Sequence, residues 1–209
     1  MYRKGGLEEY VSDAAAKKPA PGGGSVSALV GAMAAAMSEM SANFTVGNKK
    51  FASVEGTAQG MLVALADCRD TLLALIDRDV EAYGAVDAAY GMPKDTDEQK
   101  AARRKAMHTA LLGAMEAPLD VMRQCSRVAA IAEELVEIGN PNLITDVGVS
   151  AILAEAACAA ARLNVEVNLK FLRAPDVAEK AVAEMDELSS RVQRCRERVA
   201  RKVSSYLAG

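Results

Sequence analysis

Apolar residues recur along most of this chain at spacings of three and four, the period of an amphipathic helix. Leu7, Tyr10, Val11 and Ala14 predict a short first helix, ended by "KKPAPGGGS". A second helix is predicted from Ser25 to about Phe44, with "TVGNKK" as the break after it. A third runs from near Ala52 to about Tyr90 and carries Gly56 and Gly60. The loop "GMPKDTDEQ" leads to a fourth, from about Glu98 to Glu137, with Pro118 as a kink. "GNPNLIT" is a sharp turn before a fifth, from Asp146 to about Leu172, and "RAPD" precedes a sixth, from Val177 to about Leu207. In the sixth, Ala178, Val182, Met185, Leu188, Val192, Cys195, Val199, Val203 and Tyr206 form a bundle seam or half of a dimer interface. No repeat or low-complexity linker intervenes, so residues 1–209 read as one all-α domain, an elongated bundle of about six helices.

Composition supports that reading. Of 209 residues 51% are hydrophobic but only 4% aromatic, and there is no Trp. Alanine and leucine stand where strands would favour β-branched and aromatic residues. The net charge of −3, with no basic stretch interleaved with aromatics, argues against nucleic-acid binding. Cys68, Cys125, Cys158 and Cys195 form no CxxC pair, and His108 is the single histidine. That is poor material for a metal site, so free thiols in a reducing cytoplasm are expected. The N-terminus "MYRKGGLEEYV" lacks the apolar core of a signal peptide, and the most apolar run, Val26–Met37, is too short to span a bilayer.

Three stretches break the pattern. In "PAPGGGSVSALVGAMAAAMSEM", Gly22, Gly23 and Gly24 precede Ser25, a good N-cap. Such a loop can be a tight turn, or it can offer free N–H donors to an anion or carbonyl oxygen. Ser27, Gly31 and Ala35 continue as a ridge of small residues that admits a close neighbour. In "LLALIDRDVEAYGAVDAAY", the run Leu72, Ile76, Asp79, Tyr83, Val86, Tyr90 puts Asp79 on the apolar face, with Asp77 and Glu81 on outer faces. A carboxylate in an apolar seam must be paired, hydrogen-bonded or neutral, and such groups often carry chemistry. In the third stretch, Thr145 or Asp146 can cap the fifth helix. Asp146 also shares the core-facing side with Val149, Leu153 and Ala156, while Asn164 and Asn168 are i, i+4 amides in an apolar helix. Buried amides have partners, an interhelical hydrogen bond being the plain case. Lys94, Arg103 and Arg104 gather cations near the end of the Asp79 helix, where they are either solvated or ligand-binding.

"PAPGGGSVSALVGAMAAAMSEMSANFTVGNKKF", "DRDVEAYGAVDAAYGMPKDT" and "GNPNLITDVGVSAILAEAACAAARLNVEVNL" together resemble the cyclodeaminase/cyclohydrolase family, in order and over nearly the whole chain. That family comprises the C-terminal domain of formiminotransferase-cyclodeaminase and stand-alone methenyltetrahydrofolate cyclohydrolases. It usually has Ser-Asp where this chain has Thr145-Asp146, a swap that keeps the hydroxyl. The resemblance implies a homodimeric enzyme acting on folate one-carbon units without metal or other cofactor. The expected reaction is hydrolysis of 5,10-methenyltetrahydrofolate to 10-formyltetrahydrofolate. Closure of formimino-tetrahydrofolate with release of ammonia is the alternative, and a non-catalytic helical scaffold or folate-binding dimer a further one.

With that substrate, Asp79 is expected as the general base, its pKa raised by the seam. Asp146 is expected to orient water or relay its proton. Asn142 and Asn168 would hydrogen-bond the pterin or the tetrahedral oxygen. Gly23, Gly24 and Ser25 would hold a substrate oxygen or carboxylate through backbone donors. Lys94 and Arg103 would meet the glutamate tail, with Lys94 also placed as a possible participant at the reacting carbon.

Overall fold

The computed structural model describes residues Met1–Gly209 and contains six α-helices and no strand. They are α1 (Leu7–Ala15), α2 (Gly23–Asn43), α3 (Glu55–Tyr90), α4 (Asp97–Ile138), α5 (Ile144–Leu172) and α6 (Pro175–Leu207). Three short 3₁₀ turns, Tyr2–Lys4, Lys49–Val54 and Pro141–Leu143, join or precede them. At 1.5 Å per residue, α4 alone is about 63 Å long, so the bundle is elongated as expected. Each predicted helix exists within three residues of its expected bounds. α4 starts where Thr96 and Gln99 form a capping box, and it continues unbroken through Pro118.

α2 lies at the centre, packed on α3, α4 and α5, while α6 closes the bundle over α4 and α5. One core cluster threads these helices, with Leu65, Leu72, Met122, Leu135, Met185 and Val199 fully enclosed. The ridge of Ser27, Gly31 and Ala35 is buried. A Cβ on Gly31 would lie 3.0 Å from Leu72 Cδ2 and 3.1 Å from Cys125 Sγ, so a larger residue would have to push these side chains back by a few tenths of an ångström. Across α2 and α5 a buried hydroxyl relay replaces apolar contact: Ser38 Oγ donates to Ser150 Oγ, which donates to the Ala34 carbonyl, each at 2.7 Å. The α6 seam is an internal one, burying Met185, Val192, Cys195 and Val199 in its own chain.

Two local expectations are corrected. Asp77 is buried rather than outward, because the turn Tyr2–Lys4 folds back over α3. The Tyr2 N–H donates to Asp77 Oδ1 at 2.6 Å, and Arg3 Nε stands 3.6 Å from Oδ2. Helix periodicity cannot foresee cover from a segment outside the helix. Secondly, α2 and Pro141–Leu172 are each apolar and long enough, by length and composition, to cross a membrane. The run Val26–Met37 understated this, because Ser27 and Glu39 interrupt the count without making the helix polar.

Candidate active site

α2 begins at Gly23, two residues before the expected cap, and its N-cap is Gly22 in extended conformation. Ser25 therefore sits inside the first turn. Its N–H donates to Asp79 Oδ2 at 2.9 Å, so the first turn of α2 is capped by a carboxylate from α3. Its hydroxyl is paired with the Tyr10 hydroxyl at 2.9 Å, which ties α1 to the same corner. Ser25 is fully buried and turned away from the cavity described below. The expected substrate contact at Ser25 is thus replaced by a positioning contact on Asp79.

At Gly24 glycine is required for a steric reason. A Cβ on Gly24 would stand 2.1 Å from Asp79 Oδ1 and 2.6 Å from its Cγ, inside any tolerable contact. On Gly23 it would meet the Asn164 side chain at 3.0 Å. The N–H groups of Gly23 and Gly24 donate to nothing in the chain, which leaves two free donors at a positive helix end.

These groups form one wall of a cavity of about 350 Å³. Asp79, Gly23 and Gly24 meet Tyr83 and Tyr90 of α3, Leu111 and Ala114 of α4, and Asn164, Val167, Asn168 and Phe171 of α5 there. The wall is apolar apart from the carboxylate, the glycine amides, the two asparagines and the hydroxyls of Tyr83 and Tyr90. Asn168 Nδ2 donates to the Ala114 carbonyl at 3.0 Å and the Asn164 carbonyl at 2.7 Å. The amide is thereby locked in place, and its Oδ1 has no partner in the chain. Burial pushes the Asp79 carboxyl above its ordinary value, and the Ser25 N–H pulls it part of the way back.

A second hollow of about 720 Å³ adjoins this cavity, sharing Tyr90, Leu111 and Phe171 with it. It is lined by Lys94, Lys100, Arg103, Arg104, Arg173 and His108. The Arg103 guanidinium lies 5.6 Å from the Tyr90 ring centre, and Nη2 donates to the Tyr90 carbonyl at 3.3 Å. Its Nε is buried without a partner. Lys94 belongs to this basic groove and not to the Asp79 cavity. Position near the end of α3 pointed to Lys94, Arg103 and Arg104; Lys100, three residues before Arg103 on α4, was passed over, and Arg173 joins them only through the fold.

Within one chain the structure does not bring Asp146 or Asn142 to the cavity. Asp146 lies eighteen residues before Asn164 on α5, about 27 Å along the helix. Asn142 is in the turn Pro141–Leu143, its N–H donating to Asn140 Oδ1 at 3.1 Å. α5 starts at Ile144, so neither Thr145 nor Asp146 is its cap, although Asp146 keeps its favourable place in the first turn. No three His, Cys, Asp or Glu side chains converge as metal ligands.

The chain resembles known proteins along nearly its whole length. The family model described as formiminotransferase-cyclodeaminase matches residues 6–187. The chain is 40% identical to the methenyltetrahydrofolate cyclohydrolase of Methylorubrum extorquens, covering 95% of this chain and 96% of that one. It is 32% identical to the rat formimidoyltransferase-cyclodeaminase over 78% of its length, but spans only 30% of that longer protein. The crystal structure of formiminotetrahydrofolate cyclodeaminase from Thermotoga maritima superposes with a TM-score of 0.89 at 31% identity, covering 99% of this chain and all of that one. An all-helical bundle whose first long helix opens on a glycine turn capped by Asp79 belongs, with the rest of this chain, to the formiminotransferase-cyclodeaminase family.

Proposed function

We propose that this protein hydrolyses 5,10-methenyltetrahydrofolate to 10-formyltetrahydrofolate. The observation that carries the reading is charge placement. One carboxylate stands at the wall of an apolar cavity, and that cavity opens into a groove lined by five Lys and Arg side chains. The substrate has the complementary pattern, a cationic methenyl bridge between N5 and N10 at one end and an anionic glutamate tail at the other. A scaffold reading accounts for neither feature.

In the apolar cavity the carboxylate attracts the methenyl cation more strongly than it could in water. Asp79 accepts a proton from water as the water oxygen bonds to the bridging carbon. The free Gly23 and Gly24 N–H groups are placed to donate to oxygen on the tetrahedral carbon or on the pterin. The carbon–N5 bond then breaks, its electron pair goes to N5, and a proton is delivered to N5. The reaction leaves a formyl group on N10 and releases one proton overall. Tyr83, Tyr90 and Phe171 offer ring faces and edges to the flat pterin and aminobenzoyl groups. The free Asn168 Oδ1 is an acceptor for a pterin N–H.

The cyclodeaminase reaction ends on the same methenyl compound and would use the same cavity. Identity of 40% to the Methylorubrum cyclohydrolase, against 31% to the Thermotoga cyclodeaminase, favours hydrolysis. Purified protein mixed with methenyltetrahydrofolate should accelerate loss of its near-ultraviolet absorbance. No acceleration, with ammonia released from formimino-tetrahydrofolate, reverses the assignment. Arg103→Ala should raise KM and leave kcat nearly unchanged, with the larger effect on polyglutamylated folate. An equal loss with mono- and polyglutamate substrates would remove Arg103 from tail binding.

The proposal includes a homodimer that acts as one domain per chain, with no cofactor, no nucleic acid and no membrane. The outward side of α2 carries Val26, Leu29, Val30, Met33 and Met37, and α5 adds a longer apolar stripe beside it. A second copy covers such a surface as lipid would, and buried thiols at all four cysteines suit a reducing cytoplasm.

A further inference from the structure

α1 is fastened to the bundle at one residue. Its apolar face is mostly outside, with Leu7 69% and Val11 57% exposed, and Tyr10 is the only buried residue of the helix. The Tyr10 hydroxyl meets the Ser25 hydroxyl at 2.9 Å, and neither has another partner in the chain. The Tyr2 ring braces the Tyr10 ring edge-on, with centroids 5.4 Å apart. Tyr2 is itself tied to α3 through Asp77, two residues before Asp79.

Ser25 therefore works in two directions. Its N–H donates to Asp79 Oδ2 at 2.9 Å, toward α3, while its Oγ is held by Tyr10 of α1. That N–H is the one hydrogen bond the Asp79 carboxylate receives within the chain. In a gauche rotamer a serine hydroxyl stands beside its own N–H, so a carboxylate that accepts from the N–H is open to the hydroxyl as well. Released from Tyr10, the buried Ser25 hydroxyl would lack a partner, and a charged acceptor is the stronger draw.

We propose that Tyr10 is a positioning residue for Asp79: it holds the Ser25 hydroxyl on the α1 side of the turn and keeps the carboxylate from a second hydrogen bond. The chemical consequence rests on the proposed role of Asp79 as base. Burial raises the Asp79 carboxyl, and the Ser25 N–H already draws it part of the way back. A second donor to the charged form would draw it further and weaken it as a base. No other charge competes at the cavity. α2, α4 and α5 present no charged side chain there, and the titratable groups are the Tyr83 and Tyr90 phenols of α3 and, behind Ser25, that of Tyr10. The nearest cations line the adjoining basic groove.

The test is the titration of Asp79 itself, followed by the carboxyl NMR shifts of aspartate-labelled protein, with the Asp79 signal identified by its loss in Asp79→Asn. Tyr10→Phe keeps the ring and its contact with Tyr2 but frees the Ser25 hydroxyl. Its Asp79 midpoint should fall by about one pH unit, the worth of one hydrogen bond to a charged group. Removing that hydroxyl as well, in Tyr10→Phe/Ser25→Ala, should return the midpoint to that of Ser25→Ala, above that of Tyr10→Phe. A merely structural role for Tyr10 predicts no such rescue. An unchanged or raised midpoint in Tyr10→Phe, or a lowered one that persists in the double variant, overturns the proposal. The acid limb of kcat/KM for methenyltetrahydrofolate should move with the titration. A midpoint that falls while the limb stays, or a wild type inactive on this substrate, counts against the proposed reaction and leaves the Tyr10 assignment standing.

Discussion

Asp79→Asn lowers kcat for methenyltetrahydrofolate hydrolysis by ~10²–10⁴-fold, the usual worth of general acid–base assistance, while the melting temperature at pH 7 stays equal or rises. Both halves follow from the same environment. Asparagine can still accept the Ser25 N–H, so the α3–α2 tie survives. What it cannot do is take a proton from water. The stability sign comes from burial, which raises the Asp79 carboxyl above its ordinary value. A raised folded-state pKa means that the folded protein holds this proton more tightly than the unfolded chain. The group's contribution to stability is therefore fully present below the ordinary carboxylate range and is lost as pH rises through the folded value. At pH 7 the ionised group opposes folding, and the neutral amide does not. The advantage of the variant should disappear in acid, where both side chains are uncharged. Thermal melts at pH 7 and near pH 3, run beside turnover, check the pair. A variant that loses stability at pH 7 with only a proportionate loss of activity would make Asp79 a structural cap and nothing more.

Gly24→Ala is expected to be folded and nearly inactive. The new methyl would occupy space 2.1 Å from Asp79 Oδ1, and Gly24 lies in a helical turn that cannot move without disturbing the Ser25 N–H. The carboxylate must therefore swing away. Displacing a catalytic group by about 1 Å can reduce the rate ~10²-fold, and a full change of rotamer displaces it further. The fold should tolerate the change, because alanine in a helix is favoured over glycine by up to about 1 kcal/mol. Gly23→Ala is the control, since its methyl would meet the Asn164 amide at 3.0 Å, a contact that a small side-chain shift relieves. Turnover of the two variants, with helicity from circular dichroism, separates the cases. A Gly24→Ala enzyme working within about threefold of wild type would show that the close carboxylate–helix contact is not needed for catalysis.

Much of this was legible in the sequence because long helices write their faces in a fixed period. Leu72, Ile76 and Asp79 fall on one stripe whatever surrounds them, and the unusual member of the stripe proved to line the cavity. The glycine triplet was legible as a site of close approach, but not what approaches it. Spacing cannot say that a carboxylate from α3, rather than a ligand, fills the first turn of α2. The early start of α2 at Gly23 was hidden because Ser25 is the better cap by side chain, and Asp79 supplies a cap from 54 residues away. Asp77 was misread for the same reason, its cover coming from Tyr2 and Arg3. Asp146 was read as sharing the core-facing side of α5 with Val149, but Val149 is 43% exposed and the buried side runs through Val147, Ala151 and Ala154, so that face points outward. Arg173 was invisible as a partner of Arg103, because only the folded bundle brings the ends of α4 and α5 together, whereas Lys100, three residues before Arg103 on α4, was readable but passed over.

The pH profile of kcat/KM for methenyltetrahydrofolate, wild type beside Asp79→Asn and corrected for uncatalysed hydrolysis, tests most directly whether Asp79 is the base. Wild type should gain activity through an ionisation above the ordinary carboxylate value of about 4, and the variant should show no such limb at its residual rate. The same limb with the same midpoint in both enzymes would assign the base to another group and contradict the mechanism.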